Sequence, residues 1–208
     1  MKTRGTIEVI TGCMFSGKTE ELIREVRRAE FAKKRIMVFD HCLDDERYVK
    51  GKVSSHSGLH LETFSAAHAK EIYQHAADSN FNVDVMAIDE AQFFTDLAEV
   101  CEKLVSKGIR VIAVGLNQDF RGEPFEAMSE LMPRADRVRL LTAICMGCGA
   151  DATRTQRLIN GEPVPYDSPR IEIGGQEKYQ ARCRHCHEVP GKPDASLNGH
   201  TRREKIRA

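Results

Sequence analysis

The sequence predicts an α/β protein, a parallel sheet flanked by helices around a phosphate-binding loop, with a small metal-binding domain behind it. Three observations carry this reading. Continuously apolar strands alternate with amphipathic helices from Ile7 to Leu141, the pattern of a parallel sheet covered on both faces. The run Gly12-Cys13-Met14-Phe15-Ser16-Gly17-Lys18-Thr19 matches G-x-x-x-x-G-K-[ST] between a strand and a helix. Two C-x-x-C pairs, Cys145/Cys148 and Cys183/Cys186, follow the last strand. The expected domains are 1–141 for the ATP-binding sheet and 142–190 for the metal-binding region, with a disordered polar tail over 191–208.

In chain order, Ile7 to Ile10 reads as a short buried strand and Glu20 to Lys34 as an amphipathic helix. Arg35 to Asp40 is a second strand. His41 to His60 is polar and rich in small residues, which reads as a long functional loop near the nucleotide. Helical spacing covers Ser65 to Asp78. Phe81 to Ile88 reads as the third strand, running into Asp89-Glu90-Ala91-Gln92. Asp96 to Lys107 has helical apolar spacing at Leu97, Val100, Cys101 and Leu104, and Ile109 to Leu116 is the fourth strand. Asn117 to Phe125 leaves that strand as a loop. Glu126 to Met132 predicts a short helix before Pro133, and Arg137 to Leu141 a last strand.

Composition narrows the function classes. Lys+Arg and Asp+Glu are both 31, so no global basic field argues for nucleic acid. No apolar run approaches the roughly 20 residues of a membrane span. The first residues enter a strand with no signal-like apolar stretch, so a cytoplasmic protein is expected. In a reducing compartment, seven cysteines point to metal or free thiols before disulfides.

Three constellations carry chemistry. In the loop from Gly12 to Thr19, successive backbone N–H groups and a helix N-terminus suit a triphosphate. Lys18 would reach the β- and γ-phosphates, and Thr19 a Mg²⁺ ion. Asp89-Glu90, at the end of an apolar strand, pairs a metal-side carboxylate with one able to take a proton from an attacking hydroxyl. The four cysteines suit a closed tetrahedral zinc site. With 34 residues between the pairs, the metal would clamp the ends of the loop from Ile159 to Gly175. His185 and His187 flank Cys186, so a histidine is an alternative fourth ligand.

Taken together, several motifs resemble the thymidine kinases of the tetrameric, zinc-containing type. They are the phosphate loop, Asp45-Glu46-Arg47-Tyr48, Asp89-Glu90-Ala91-Gln92-Phe93, the run Asp119 to Phe125, both cysteine pairs and Ile173-Gly174-Gly175-x-x-x-Tyr179. The resemblance spans Gly5 to Val189. It implies ATP-dependent phosphorylation of the thymidine 5′-hydroxyl, with deoxyuridine a further substrate, in a homotetramer. Glu90 would be the catalytic base, with Arg121 assisting. ATP and Mg²⁺ would be held by Gly12 to Thr19, Asp45, Glu46, Arg47, Asp89 and Gln92. The nucleoside would lie under a lasso loop tied down by zinc, against Met14, Phe93, Leu116, Phe120, Thr155, Ile171, Glu172, Ile173, Gly174, Gly175 and Tyr179.

Two other classes fit parts of the sequence. Asp-Glu-Ala-Gln is also a helicase-like box, so a zinc-containing, nucleic-acid-dependent ATPase is the alternative. Against it stand the short chain and the lack of a basic or aromatic stripe. A non-catalytic nucleotide sensor would have no use for Glu90 beside Asp89.

Overall fold

The computed structural model of the chain describes residues 4–42, 52–54, 60–172 and 174–193. Asp45, Glu46, Arg47, Ile173 and the expected tail from 194 onward therefore lie outside the described residues. The first part of the chain runs β1 (Thr6–Gly12), α1 (Lys18–Phe31), β2 (Ile36–His41), β3 (Lys52–Ser54), β4 (His60–Glu62), β5 (Phe64–Ala66), α2 (Ala69–Asp78) and β6 (Val85–Ile88). It continues with α3 (Leu97–Ser106), β7 (Arg110–Gly115), α4 (Glu126–Leu131) and β8 (Arg137–Leu141). Six strands form one sheet in the order β5-β2-β6-β7-β1-β8, every pair parallel.

The strands are apolar along their whole length because helices cover both faces. On one face, Leu22, Val26 and Ala29 of α1 pack on Ile10, Val38, Ala87, Ile112 and Val114. On the other, Ile72, Leu97, Leu104 and Met128 from α2, α3 and α4 pack on Ile7, Val9, Met86, Ile88 and Val111. Each fully buried aliphatic side chain contributes about 2 kcal/mol. Glu8 breaks the pattern under α1. It is buried, but Arg110 at 2.5 Å and Arg139 at 2.7 Å meet its carboxylate, and Glu25 of α1 takes Arg110 at 2.8 Å. A buried carboxylate persists where such partners offset its desolvation.

Because every strand of the sheet is parallel, the phosphate loop, Asp89 and the loop after β7 all emerge at its C-terminal edge. β8 ends there too and delivers the chain into smaller antiparallel sheets. These are β9 (Ala143–Ile144) with β10 (Asp151–Ala152), and β11 (Arg154–Ile159) between β12 (Glu162–Pro163) and β13 (Tyr179–Arg182).

Four expectations change. Ser65 and Ala66 belong to β5 and not to a helix, because the free edge of β2 takes the segment as a parallel partner and Phe64 stacks on Phe39 at 5.4 Å. The helix starts at Ala69. Phe81 to Asp84 is the exit turn of α2, with Asn80 and Phe81 both left-handed and the Phe81 N–H on the Ala76 carbonyl. The strand therefore starts at Val85. Within the segment read as one loop, β3 forms and pairs antiparallel with β4, which starts at the last residue of that segment. The segment from Ile159 to Gly175 likewise opens with a hairpin, in which Asn160 and Gly161 both take positive φ between Ile159 and Glu162, as an Asn-Gly turn does.

Candidate active site

The phosphate loop turns because Gly17 sits at φ +80°, in the left-handed region just before α1. Inside the turn, the Cys13 carbonyl accepts from the Ser16 hydroxyl at 2.8 Å and from the Lys18 ammonium at 2.7 Å. Burial lowers the Lys18 pKa, and the carboxylates of Glu90 and Asp89 act against that shift. Lys18, Asp89 and Glu90 therefore share one electrostatic site. The Thr19 hydroxyl lies 3.5 Å from Asp89 Oδ2, closing the gap between loop and strand end.

Glu90 follows β6 at φ 49°, ψ 38°, a left-handed conformation uncommon for a residue with a Cβ. That turn ends the strand and starts a short 3₁₀ segment, Ala91–Phe93. Gln92 is buried. Its amide oxygen takes the Leu116 N–H at 2.9 Å, and its amide nitrogen meets the Glu90 carboxylate. Phe93 is half-buried, 5.6 Å from the His41 ring and 6.1 Å from the Phe125 ring.

The loop after β7 is organised by Asp119, whose role the sequence left unread. Its buried carboxylate accepts the N–H groups of Arg121 and Glu123, the Arg121 side chain at 3.1 Å and the Arg170 side chain at 3.0 Å. Arg121, the expected assistant in transfer, thus lies on Asp119 with Phe120 and Tyr166 rings beside its guanidinium. Phe120 is buried and its carbonyl is bonded to His187 Nε2 at 2.8 Å.

Residues of the antiparallel sheets reach the phosphate loop directly. Thr155 Oγ1 accepts the Met14 N–H at 3.0 Å. The Cys13 thiol donates to the Ala152 carbonyl at 3.3 Å and packs in one cluster with Cys145, Ala181 and Cys183. The Tyr179 hydroxyl donates to the Glu172 carbonyl at 2.5 Å, and Lys178 pairs with the Glu172 carboxylate at 2.8 Å. Of the expected nucleoside contacts, Glu172, Gly174 and Gly175 are half-buried beside Tyr179, Leu116 is half-buried over the sheet core, and the Ile171 side chain is largely exposed.

A further buried residue stands at the centre of this lobe. Arg157 lies with its guanidinium 3.9 Å from the centroid of Phe120, and Nη1 donates to the Pro169 carbonyl at 2.6 Å. Its Nε is 3.9 Å from the Glu172 carboxylate, and neither Nε nor Nη2 has a hydrogen-bond acceptor among the described residues. The signal was two-residue periodicity: on β11, Arg157 shares a face with Thr155.

The four sulfurs of Cys145, Cys148, Cys183 and Cys186 lie within 4.8 Å of one another. His187, proposed as an alternative ligand, instead engages Phe120, and His185 is exposed. Backbone N–H groups, that of Cys183 first, hold the Cys145 thiol down at about 6. The Cys186 thiol, donating toward Cys148 and Cys183, is pushed up to about 12. Four adjacent sulfurs cannot all ionise without a cation among them, and four thiolates in this arrangement could hold zinc.

Among protein families, the model described as "Thymidine kinase" matches residues 5–187. Among solved structures, an ATPase domain is 12% identical, with 68% of this chain and 70% of that chain covered at a TM-score of 0.48. That second likeness is too slight to bear on function.

Proposed function

The chain belongs to the thymidine kinase family, and on that premise we propose that it transfers the γ-phosphoryl group of ATP to the 5′-hydroxyl of thymidine. The products are thymidine monophosphate and ADP. As a member of that family it is a nucleoside kinase that uses ATP. The observation that carries the finer reading is the meeting of Lys18, Thr19, Asp89 and Glu90 at one edge of the sheet.

In this reading, loop N–H groups from Met14 to Thr19 and the Lys18 ammonium take the phosphate charge. The hydroxyl of Thr19 and the carboxylate of Asp89 are hard oxygen donors that would hold Mg²⁺, and the ion would supply charge neutralisation for the phosphates. Glu90 accepts the proton of the 5′-hydroxyl as its oxygen bonds to γ-phosphorus and the bond to the β-phosphate oxygen breaks. Thymine lies between Phe120 and the lasso, where apolar walls and backbone polar groups suit a flat methylated base. The same pocket would admit deoxyuridine. Cys145, Cys148, Cys183 and Cys186 would hold zinc, and the bound ion would fix both ends of the lasso. A cytoplasmic homotetramer completes the proposal.

The test is transfer of labelled γ-phosphate from ATP·Mg²⁺ to a panel of nucleosides, with single-stranded DNA as a separate arm. Labelled thymidine monophosphate is expected. No nucleoside product, with ATP hydrolysis rising on DNA, would favour the ATPase instead. Light scattering of the purified protein tests the tetramer.

A further inference from the structure

We propose that Gln92 is a positioning residue for the transfer step: it fixes the carboxylate of Glu90 and takes no part in binding ATP or Mg²⁺. The proposal rests on the reading of Glu90 as the base.

Gln92 is buried, and both ends of its amide are committed. Oε1 accepts the Leu116 N–H at 2.9 Å, and Nε2 donates to the Glu90 carboxylate. The two ends cannot be exchanged. A backbone N–H is met by an oxygen and never by an amide NH₂, so Leu116 turns Oε1 toward β7 and leaves Nε2 facing Glu90. The amide therefore measures the position of Glu90 from the backbone of a different strand.

Two backbone features support this seat. A Cβ built on Gly115 would lie 2.5 Å from Gln92 Oε1 and 3.0 Å from the Gln92 backbone nitrogen, so the side-chain oxygen occupies space that any other residue at position 115 would fill. Glu90 itself is held at φ 49°, a conformation the surrounding structure must enforce. A glutamate has three side-chain torsions to order before it can act, and a base is useful only within hydrogen-bond reach of its proton. A neutral amide orients the carboxylate without neutralising the charge needed to accept a proton. A lysine in its place would compete for that charge.

Three variants test this in full-length protein. Gln92→Met keeps the length and removes both hydrogen bonds. Gln92→Glu keeps an acceptor for Leu116 but sets a second carboxylate against Glu90. Gly115→Ala leaves Gln92 in the sequence and displaces it. We expect kcat for thymidine to fall about 10²-fold in Gln92→Met, the scale of a misplacement near 1 Å. The dissociation constant of ATP·Mg²⁺, measured by calorimetry, should stay within about twofold, as suits a residue that orients the base and leaves ground-state binding of the nucleotide unchanged. The double variant Glu90→Gln/Gln92→Met should be no slower than Glu90→Gln alone, because Gln92 acts through Glu90. Unchanged kcat in Gln92→Met, a loss carried by ATP affinity, or a further loss in the double variant would each overturn the proposal. Wild-type turnover in Glu90→Gln would instead remove the base assignment itself, so the two failures are distinguishable. Should Gly115→Ala not fold, the two Gln92 variants still decide the matter.

Discussion

Ile10, Ile112 and Val114 are wholly buried under α1, whereas Ile144 and Met146 beside the cysteine cluster stand mostly in solvent. The two halves of the site are held by different physics. The phosphate loop hangs from a six-stranded sheet packed on both faces, and apolar burial is the main support of the strand and helix that carry it. The lobe that carries Thr155, Arg157 and Tyr179 consists of strands two to six residues long. Too little apolar surface is covered there to stabilise such short elements, and small folds of this kind lean on metal or cross-links. On the proposed reading, phosphate chemistry would thus sit on the hydrophobic core, and nucleoside recognition on the sulfur cluster.

Metal removal should break that comparison most strongly. Structural zinc contributes on the order of 10 kcal/mol to domains of this size. A chelator under mildly denaturing conditions is expected to abolish thymidine binding while the helical circular dichroism of the sheet layer persists. Loss of both together, in one cooperative step, would mean that the two halves share a single stability. A partial loss of ATP affinity is expected beside it, because Cys13 packs in one cluster with Cys145 and Cys183.

Replacing Glu90 by Gln is next in size. General-base assistance is worth roughly 10²- to 10⁴-fold, so transfer should nearly vanish while ATP binding stays intact. Turnover at the wild-type rate would move the base to another group.

The sheet half has its own polar weak point, and it sharpens the contrast with the lobe. Burial raises the pKa of Glu8, but the hydrogen bond from Arg110 and the charges of Arg139, Arg110 and Arg137 outweigh it, so the folded value lies below 4.5. A depressed folded pKa contributes stability above the unfolded pKa, and that stability is lost as pH falls through the folded value. Glu8→Gln should therefore cost about 2 kcal/mol at pH 7, less than a fully broken buried pair because Arg110 and Arg139 keep Glu25 and Glu21. Urea midpoints of variant and wild type should converge as the pH drops below about 4. A constant gap across pH would assign the loss to shape and not to charge.

The same contrast governs what the sequence could reveal. The phosphate loop, the helices α1 and α3 and the strands β1, β2 and β7 follow from local pattern, since the residues that define them are neighbours in the chain. β5 was missed because its identity comes from the open edge of β2, about 25 residues earlier. The placement of Gln92 depends on Leu116, and that of Phe120 on Arg157 and His187. Such pairings join residues distant in sequence and leave no periodic trace. Asp119 stood inside a recognisable motif, yet its work on Arg121 and Arg170 needed the folded loop to be read.

The smallest effect lies at the seam between the halves. Thr155 is buried at the end of the lobe facing the phosphate loop, and its hydroxyl is the acceptor for the Met14 N–H. Thr155→Val keeps the branched shape and leaves that backbone donor without an oxygen, a cost of about 1–3 kcal/mol. Because Met14 lies in the phosphate loop while Thr155 belongs to the lobe, the loss should appear in both substrates. We expect about tenfold weaker binding of ATP·Mg²⁺ and of thymidine, with kcat changed less. Thr155→Ser, which restores the oxygen but not the methyl group, should recover most of the affinity. Equal behaviour of the Ser and Val variants would show that Thr155 acts through packing, and the hydrogen bond would then not be what joins the phosphate loop to the cysteine lobe.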